Sequence, residues 1–160
     1  MIKNKKILIT GASGFIGSHL VKSLITHNKI LGVDRNPSLL VNKKYFHIQK
    51  DFRESDFFDS LNSCNMGIEI VIHLAAVSLK GTKVADSIEM KEINSLFTTK
   101  LLAWSKEHFV ERFIFGSSGA VYGFSDNLLH ESSNLNIDND YSRSKYLGES
   151  SVKEYSKYFK

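Results

Sequence analysis

The sequence predicts an α/β fold: a doubly wound parallel sheet of about five strands with helices on both faces. Three observations predict it. Short apolar runs alternate with longer segments of helical period along the whole chain, the pattern of a parallel sheet covered on both sides. A glycine-rich turn, "GASGFIG" (11–17), joins the first apolar run to the first helical segment. The length, 160 residues, suits one domain able to bury a real core.

Taken in order, "KKILIT" (5–10) reads as a buried strand. A helix is expected over about 14–27, with Phe15, Ile16, Leu20 and Leu24 on one face. Asn28 is its expected left-handed stop, because asparagine tolerates positive φ. "KILGVD" (29–34) is the second strand, with Pro37 in the loop behind it, and "YFHIQ" (45–49) the third. "DFFDSLNSC" (56–64) reads as a short helix and "IEIVIHLAA" (68–76) as a strongly apolar fourth strand. A long helix over about 86–107 leads to the fifth strand, "RFIFGSS" (112–118), and a last helix covers about 140–158. Right-handed crossovers then place a ligand site at the carboxyl ends of the strands. The loop 123–139 is long for a compact domain, and such loops are often functional. No repeat, linker or low-complexity segment interrupts the pattern.

Composition excludes several classes. A formal charge of +4 comes from lysines spread along the chain, so the clustered basic footprint of a nucleic-acid binder is missing. Cys64 is the single cysteine, so no intrachain disulfide can form, which fits a reducing cytosol. The apolar run at the start is too short for a signal peptide, and no stretch reaches the roughly 20 apolar residues of a membrane span. The expectation is a soluble, cytoplasmic protein. Histidines and cysteine show no zinc-type spacing, so no metal site is expected. His73, within an apolar strand, reads as a packed core residue, and Trp104 falls at core spacing on the long helix.

The glycine turn carries the first functional signal. Gly11, Gly14 and Gly17 allow a tight turn, a close approach of backbone to a pyrophosphate, and close helix–strand packing. The free amides at the helix start, around Ser13, Phe15 and Ile16, favour an anion. Glycines spaced three apart are weak evidence by themselves, and a purely structural turn is the alternative. Strand, turn and helix in that order match the Rossmann-type dinucleotide site. Asp34 ends the second strand where a carboxylate accepts hydrogen bonds from an adenosine ribose, and it repels a 2′-phosphate, so NAD is favoured over NADP. Arg35 weakens that preference, because a guanidinium can turn toward such a phosphate.

Three further features carry chemistry. Tyr141 and Lys145 are i and i+4 on a predicted helix, hence on one face. "GSSGAVYG" (116–123) sets Ser117 and Ser118 at the end of the fifth strand. Asn94 faces inward from the long helix, among Ile93, Phe97 and Leu101. A Tyr-x-x-x-Lys match alone is cheap and reads equally well as a surface pair.

With "GASGFIG", "VDRN", "KDF", "HLAA", Asn94, "SSGAVYG" and "YSRSK" in this order, the chain resembles the extended short-chain dehydrogenase/reductase family. Within it, the resemblance is to the NAD-dependent epimerase/dehydratase group, which acts largely on nucleotide sugars, and it covers essentially every residue. The resemblance implies that Gly11, Gly14 and Gly17, with Phe15 and Ile16, hold the pyrophosphate, and that Asp34 holds the adenosine ribose. It implies further that Asp51 and Phe52 border the adenine, and that Leu74, Ala75 and Ala76 form the wall beside the cofactor. Ser118 matches the catalytic Ser/Thr position, Tyr141 and Lys145 the catalytic pair, and Asn94 the asparagine that shapes the helix near the active site. A free phenol, with pKa about 10, is a poor base at neutral pH. A nearby ammonium and the positive nicotinamide ring stabilise its phenolate. Tyr141 is then expected to take a proton from a sugar hydroxyl as hydride leaves the same carbon, with Ser118 donating to the reacting oxygen and Lys145 holding the nicotinamide ribose.

Gly119, Ala120 and Val121 offer neither acid nor base. In 4,6-dehydratases of the family an Asp-Glu pair stands there, and uronate decarboxylases usually carry a Glu in the same stretch. The resemblance therefore favours a 4-epimerase, most simply one acting on a UDP-sugar. The alternatives are a 4-ketoreductase or dehydrogenase, an NAD-binding module without turnover, or an interaction protein on the same fold. Family members are much longer, and their later half supplies more strands and a small substrate domain. Residues 1–160 are thus expected to be the NAD(P)-binding domain, with the substrate-binding portion absent and "RFIFG" left as an exposed apolar edge. The two long helices, near Leu101 and Tyr146, are where the resemblance would put a homodimer.

Overall fold

The computed structural model describes residues 2–78, 87–126 and 128–160. Five parallel strands form one sheet in the order β3-β2-β1-β4-β5: β1 (Lys6–Thr10), β2 (Lys29–Asp34), β3 (Tyr45–Gln49), β4 (Ile70–His73) and β5 (Arg112–Phe115). The chain runs outward from β1 to β3 and then returns to lay β4 on the other side of β1. The strand order reverses between β1 and β4, and the crevice at such a point is where open α/β sheets bind ligands.

The helices are α1 (Phe15–Leu24), α2 (Phe57–Ser63), α3 (Ser87–Lys91), α4 (Phe97–Glu107) and α5 (Asp140–Tyr155). Because side chains alternate across a strand, β1 sends Ile7 and Ile9 to one face and Leu8 to the other. Ile7, Ile9, Ile30, Ile70 and Ile72 pack with Val21 and Ile25 of the α1 segment. Leu8, Leu31, Val33 and Val71 pack with Phe57 and Leu61 of α2 and with Phe97, Leu101 and Trp104 of α4. Leu101 is fully buried, and burial of such a side chain stabilises by roughly 2–3 kcal/mol.

The strands and helices predicted from periodicity are present, with shorter ends. Three local expectations are corrected. Asn28 is not a left-handed stop, since positive φ outside glycine occurs only at Asn4, Asn65 and Phe109 among the described residues. Its buried side chain closes the helix instead: Nδ2 donates to the Leu24 carbonyl (2.8 Å) and Oδ1 accepts from Lys5 N (3.0 Å). On α1, Leu20 and Leu24 pack against the core beside buried Gly17 and Val21 as expected, but Phe15 and Ile16 are 83% and 65% exposed at the first turn. The long helix is interrupted by a π turn, Glu92–Leu96, between α3 and α4. Its expected start at Asp86 lies outside the described residues.

His73 and Trp104 are buried, as their spacing predicts. Leu101 belongs to the core and so offers no docking face, whereas Tyr146 and Leu147 are partly exposed. β5 pairs with β4 alone among the described strands. It forms the expected sheet edge, with Phe159 stacked on Phe113 on one face. No described helix is long and apolar enough to cross a membrane.

Candidate functional site

The glycine turn is shaped by contacts that leave no room for side chains. Gly11 has φ +72°, and a Cβ there would lie 2.8 Å from Ala75 N at the end of β4. A Cβ on Gly17 would lie 2.0 Å from the Gly11 carbonyl oxygen, so the helix can start this close to the strand only with glycine. α1 begins at Gly14 without a side-chain cap and without an acidic residue in its first turn. Its first amides therefore face outward, a suitable seat for an anion.

Asp34, buried at the end of β2, accepts from the Ser13 amide (3.1 Å) and the Asn36 amide (2.9 Å). Those two bonds fix the carboxylate over the glycine turn. A cleft of about 210 Å³ opens there, lined by Gly11, Gly14, Asp34, Arg35, Asn36, Lys50, Asp51, Phe52, Leu74–Val77 and Ile93. Asp51 is held below the usual carboxylate range by Arg53, whose Nε and Nη2 donate to its two oxygens at 2.8 and 2.7 Å. Phe52 stacks on Phe97 with centroids 4.2 Å apart, which anchors that wall in the core. Glycines without clearance, outward amides and an oriented carboxylate at a sheet switch point could hold a dinucleotide by its diphosphate and adenosine ribose. The Ser13 hydroxyl shares its one hydrogen between the carbonyls of Asn36 and Pro37 (both 3.1 Å).

The second group of residues lies at the end of β5. Ser118 caps a 3₁₀ turn, Gly119–Tyr122, and its Oγ accepts from Ala120 N (3.2 Å). Among the described residues its own O–H has no acceptor, so it can donate to a ligand. α5 packs against this turn. Its start is fixed by a capping box in which Asn139 Oδ1 accepts from Ser142 N (2.8 Å) and Ser142 Oγ accepts from Asn139 N (3.2 Å). Tyr141 sits half-buried in the first turn, one turn before Lys145.

Lys145 is 2% exposed. Its Nζ donates to the Gly116 carbonyl (2.5 Å) and lies 4.3 Å from the Phe115 ring centroid. Burial pushes its pKa down to about 8, opposed by the nearby Glu149 carboxylate. Glu149 accepts a short hydrogen bond from Ser117 Oγ. Among the described residues the ammonium makes one hydrogen bond of its possible three, so two donors are available for a ligand.

Asn94 lies in the π turn, 1% exposed. Its Oδ1 accepts from Val77 N (2.9 Å), and its Nδ2 donates to Val77 O (2.9 Å) and Ser144 Oγ (3.0 Å). With the amide spent on protein partners, Asn94 positions the loop after β4 against α5 and does not face a reacting atom. The structure thus gathers Gly11, Gly14, Asp34, Arg35, Asp51, Phe52, Leu74, Ala75 and Ala76 around one cleft. Ser117, Ser118, Tyr141 and Lys145 form a separate group at β5 and α5, outside that cleft's lining. Residues not anticipated from the sequence are Ser144, Glu149, Phe115 and Gly148. Glu149, four residues after Lys145, had an i,i+4 signal. A Cβ on Gly148 would lie 2.7 Å from Phe115 Cζ and 3.0 Å from Asn94 O, a contact with no local signal.

Comparison with known proteins identifies the family and the fold. The profile of the NAD dependent epimerase/dehydratase family matches residues 7–160. The chain is 34% identical to the dTDP-D-glucose 4,6-dehydratase of Dictyostelium discoideum, over 98% of its own length and 41% of the relative's. Among solved structures it matches the UDP-N-acetylglucosamine 4-epimerase of Methanobrevibacter ruminantium M1, in complex with UDP-N-acetylmuramic acid. That match has TM-score 0.83 and 31% identity, over 98% of this chain and 52% of that one. It also matches the UDP-glucuronic acid 4-epimerase of Bacillus cereus in complex with NAD, with TM-score 0.81 and 29% identity, over 96% and 53% of the two chains. The chain spans about half the length of the curated relatives it matches.

Proposed function

The chain belongs to the NAD dependent epimerase/dehydratase family, and on that premise we propose that it carries the cofactor-binding and proton-transfer machinery of an NAD-dependent UDP-sugar 4-epimerase. The observation that supports this most is the placement of Lys145. Its buried ammonium is held at the end of β5 by the Gly116 carbonyl, two residues before Ser118 and one turn after Tyr141. The cleft around Gly11, Asp34 and Phe52 suits NAD, which is also present in the Bacillus cereus structure.

When bound, NAD accepts a hydride from the sugar carbon and can return it. Tyr141 takes the hydroxyl proton from that carbon and later gives it back. Ser118 donates its unspent O–H to the sugar oxygen. Lys145, one turn from Tyr141, would stabilise the phenolate by its positive charge and would hold the nicotinamide ribose through its remaining N–H groups. Asn94 and Ser144 hold α5 in place. Dehydratases are among the relatives, but elimination of water needs an acid and a base near the sugar. Between Ser118 and Tyr122 this chain has Gly119, Ala120 and Val121 in a 3₁₀ turn, so retention of the hydroxyl and epimerisation are favoured.

Two measurements test the reading. Calorimetric titration with NAD should show binding that weakens at least about tenfold in Asp34→Ala, as expected for a lost hydrogen bond to a charged group. Equal affinity in the variant would remove Asp34 from the cofactor site. Incubation of a full-length relative bearing this segment with UDP-galactose and NAD should yield UDP-glucose, with no product when the tyrosine matching Tyr141 is replaced by phenylalanine. A keto sugar formed with one equivalent of NADH would instead identify a dehydrogenase.

A further inference from the structure

His73 is buried at 1% exposure at the end of β4, and the proposed chemistry makes no use of it. Four phenyl rings surround it, those of Phe52, Phe97, Phe113 and Phe115, at centroid distances of 5.8 to 6.3 Å. Within this apolar cage both ring nitrogens are bonded. Nδ1 lies 2.6 Å from Thr10 Oγ1 and Nε2 lies 3.0 Å from Thr98 Oγ1. Both threonines are fully buried.

The partners of the threonines determine which nitrogen carries the proton. Thr98 Oγ1 donates its one hydrogen to the Asn94 carbonyl (2.9 Å), so it can only accept from His73, and Nε2 must bear N–H. Nδ1 is then bare and accepts from the Thr10 hydroxyl, whose oxygen in turn accepts from Ala75 N (3.3 Å). The opposite tautomer would turn the Thr98 hydrogen away from Asn94 and leave the buried Thr10 hydroxyl with no acceptor among the described residues, which costs about 1–3 kcal/mol. Charging the ring strands Thr10 in the same way. Burial and the nearby Lys145 charge also oppose protonation, holding the pKa down at about 3.

One directed chain therefore runs from Ala75 N–H through Thr10, His73 and Thr98 to the Asn94 carbonyl. From Asn94 the side chain continues to Val77 and to Ser144, and Ser144 Oγ donates to the Tyr141 carbonyl (2.8 Å). The chain starts in the wall of the cofactor cleft and ends on the helix bearing Tyr141 and Lys145.

We propose that His73, as the neutral Nε2-protonated tautomer, is a positioning residue that braces the π turn against the ends of β1 and β4, setting α5 relative to the cofactor wall. The proposal rests on the reading of that cleft as the NAD site, but its test uses neither cofactor nor turnover, so the two can fail separately.

In isotope-labelled protein, the nitrogen and carbon shifts of the His73 ring should report Nε2–H, unchanged down to about pH 5, below the range where free histidine titrates. A proton on Nδ1, or an imidazolium at pH 6, would overturn the proposal. His73→Phe keeps an aromatic ring but removes both bonds, whereas His73→Gln offers one donor and one acceptor. The Val77 amide, bonded to Asn94, reads the brace, and the Leu31 amide in β2 reads the rest of the sheet. Positioning predicts that Val77 exchanges at least about tenfold faster in the Phe variant with Leu31 unchanged, and that Gln restores most of the protection. A silent Phe variant with an impaired Gln variant would mean that His73 only packs, and would overturn the proposal, as would equal acceleration at both amides in both variants.

Discussion

Replacing Lys145 with methionine isolates the energetic consequence of burying an ammonium. The two side chains are close in length, and both fit against Phe115. In the folded chain the Lys145 pKa is lowered from 10.5 to about 8, chiefly by burial. The folded state therefore releases this proton at lower pH than the unfolded state does. Below about pH 8 both states hold it, and the folded state carries the full cost of the buried charge. Between about pH 8 and 10.5 the unfolded chain binds more protons, so stability rises with pH through that window. Linkage with these two values gives a gain of about 1 kcal/mol by pH 9 and about 2–3 kcal/mol by pH 10. Methionine cannot titrate, so Lys145→Met should lack this component.

Other lysines and tyrosines titrate in the same range, so the quantity to follow is the difference between wild type and variant. Urea unfolding of both proteins from pH 7 to 10 supplies it. The wild type should gain on the variant steadily above pH 8. At pH 7 Lys145→Met should equal or exceed the wild type in stability while losing affinity for NAD. A difference that stays flat across the window would show that the ammonium is well solvated or fully compensated by the Gly116 carbonyl, and would refute the reasoning.

Gly17→Ala should fold poorly or bind NAD weakly, because its Cβ would meet the Gly11 carbonyl oxygen at 2.0 Å and Ala12 Cα at 2.9 Å, both backbone; a cost of about 3 kcal/mol or more is expected in urea unfolding. Gly148→Ala pushes against a ring that can shift and a carbonyl that cannot, so about 1–3 kcal/mol is expected, together with a changed environment for Phe115 that aromatic NMR would detect. Asn139→Ala removes the capping box of α5 and should cost about 1 kcal/mol; faster amide exchange confined to residues 140–144 would check that the loss is local.

Much of this layout was legible in the sequence because its causes are local. Buried parallel strands leave runs such as "KILIT" and "KILGVD", and the lack of clearance at Gly11 and Gly17 leaves glycines at fixed spacing. Tyr141 and Lys145 share a helix face by spacing alone. What stayed hidden depends on contacts between distant segments. Nothing in residues 92–96 announces a π turn, since its extra residue is stabilised by Asn94 bonding Val77 and Ser144 across the fold. Leu20 and Leu24 face inward as their period implies, but Phe15 and Ile16 share that period and stay exposed because they sit in the first turn, before α1 reaches the sheet. Likewise His73 is recognisable as buried, yet the direction of its hydrogen bonds depends on threonines 63 and 25 residues away.

The π turn also makes residue count a constraint separate from residue identity. A regular helix advances about 100° per residue, and the turn at Glu92–Leu96 absorbs one residue more than a regular helix would. Deleting one residue there would remove the bulge yet leave the flanking helices in register, whereas closing the turn into an unbroken α-helix without a deletion would not. Everything on its amino-terminal side would then rotate by about 100° relative to α4, and residues that now face Val77 or Ser144 would face elsewhere. Chimeras that join related chains should therefore take this segment whole from one parent, so that the extra residue and the turn that absorbs it stay together.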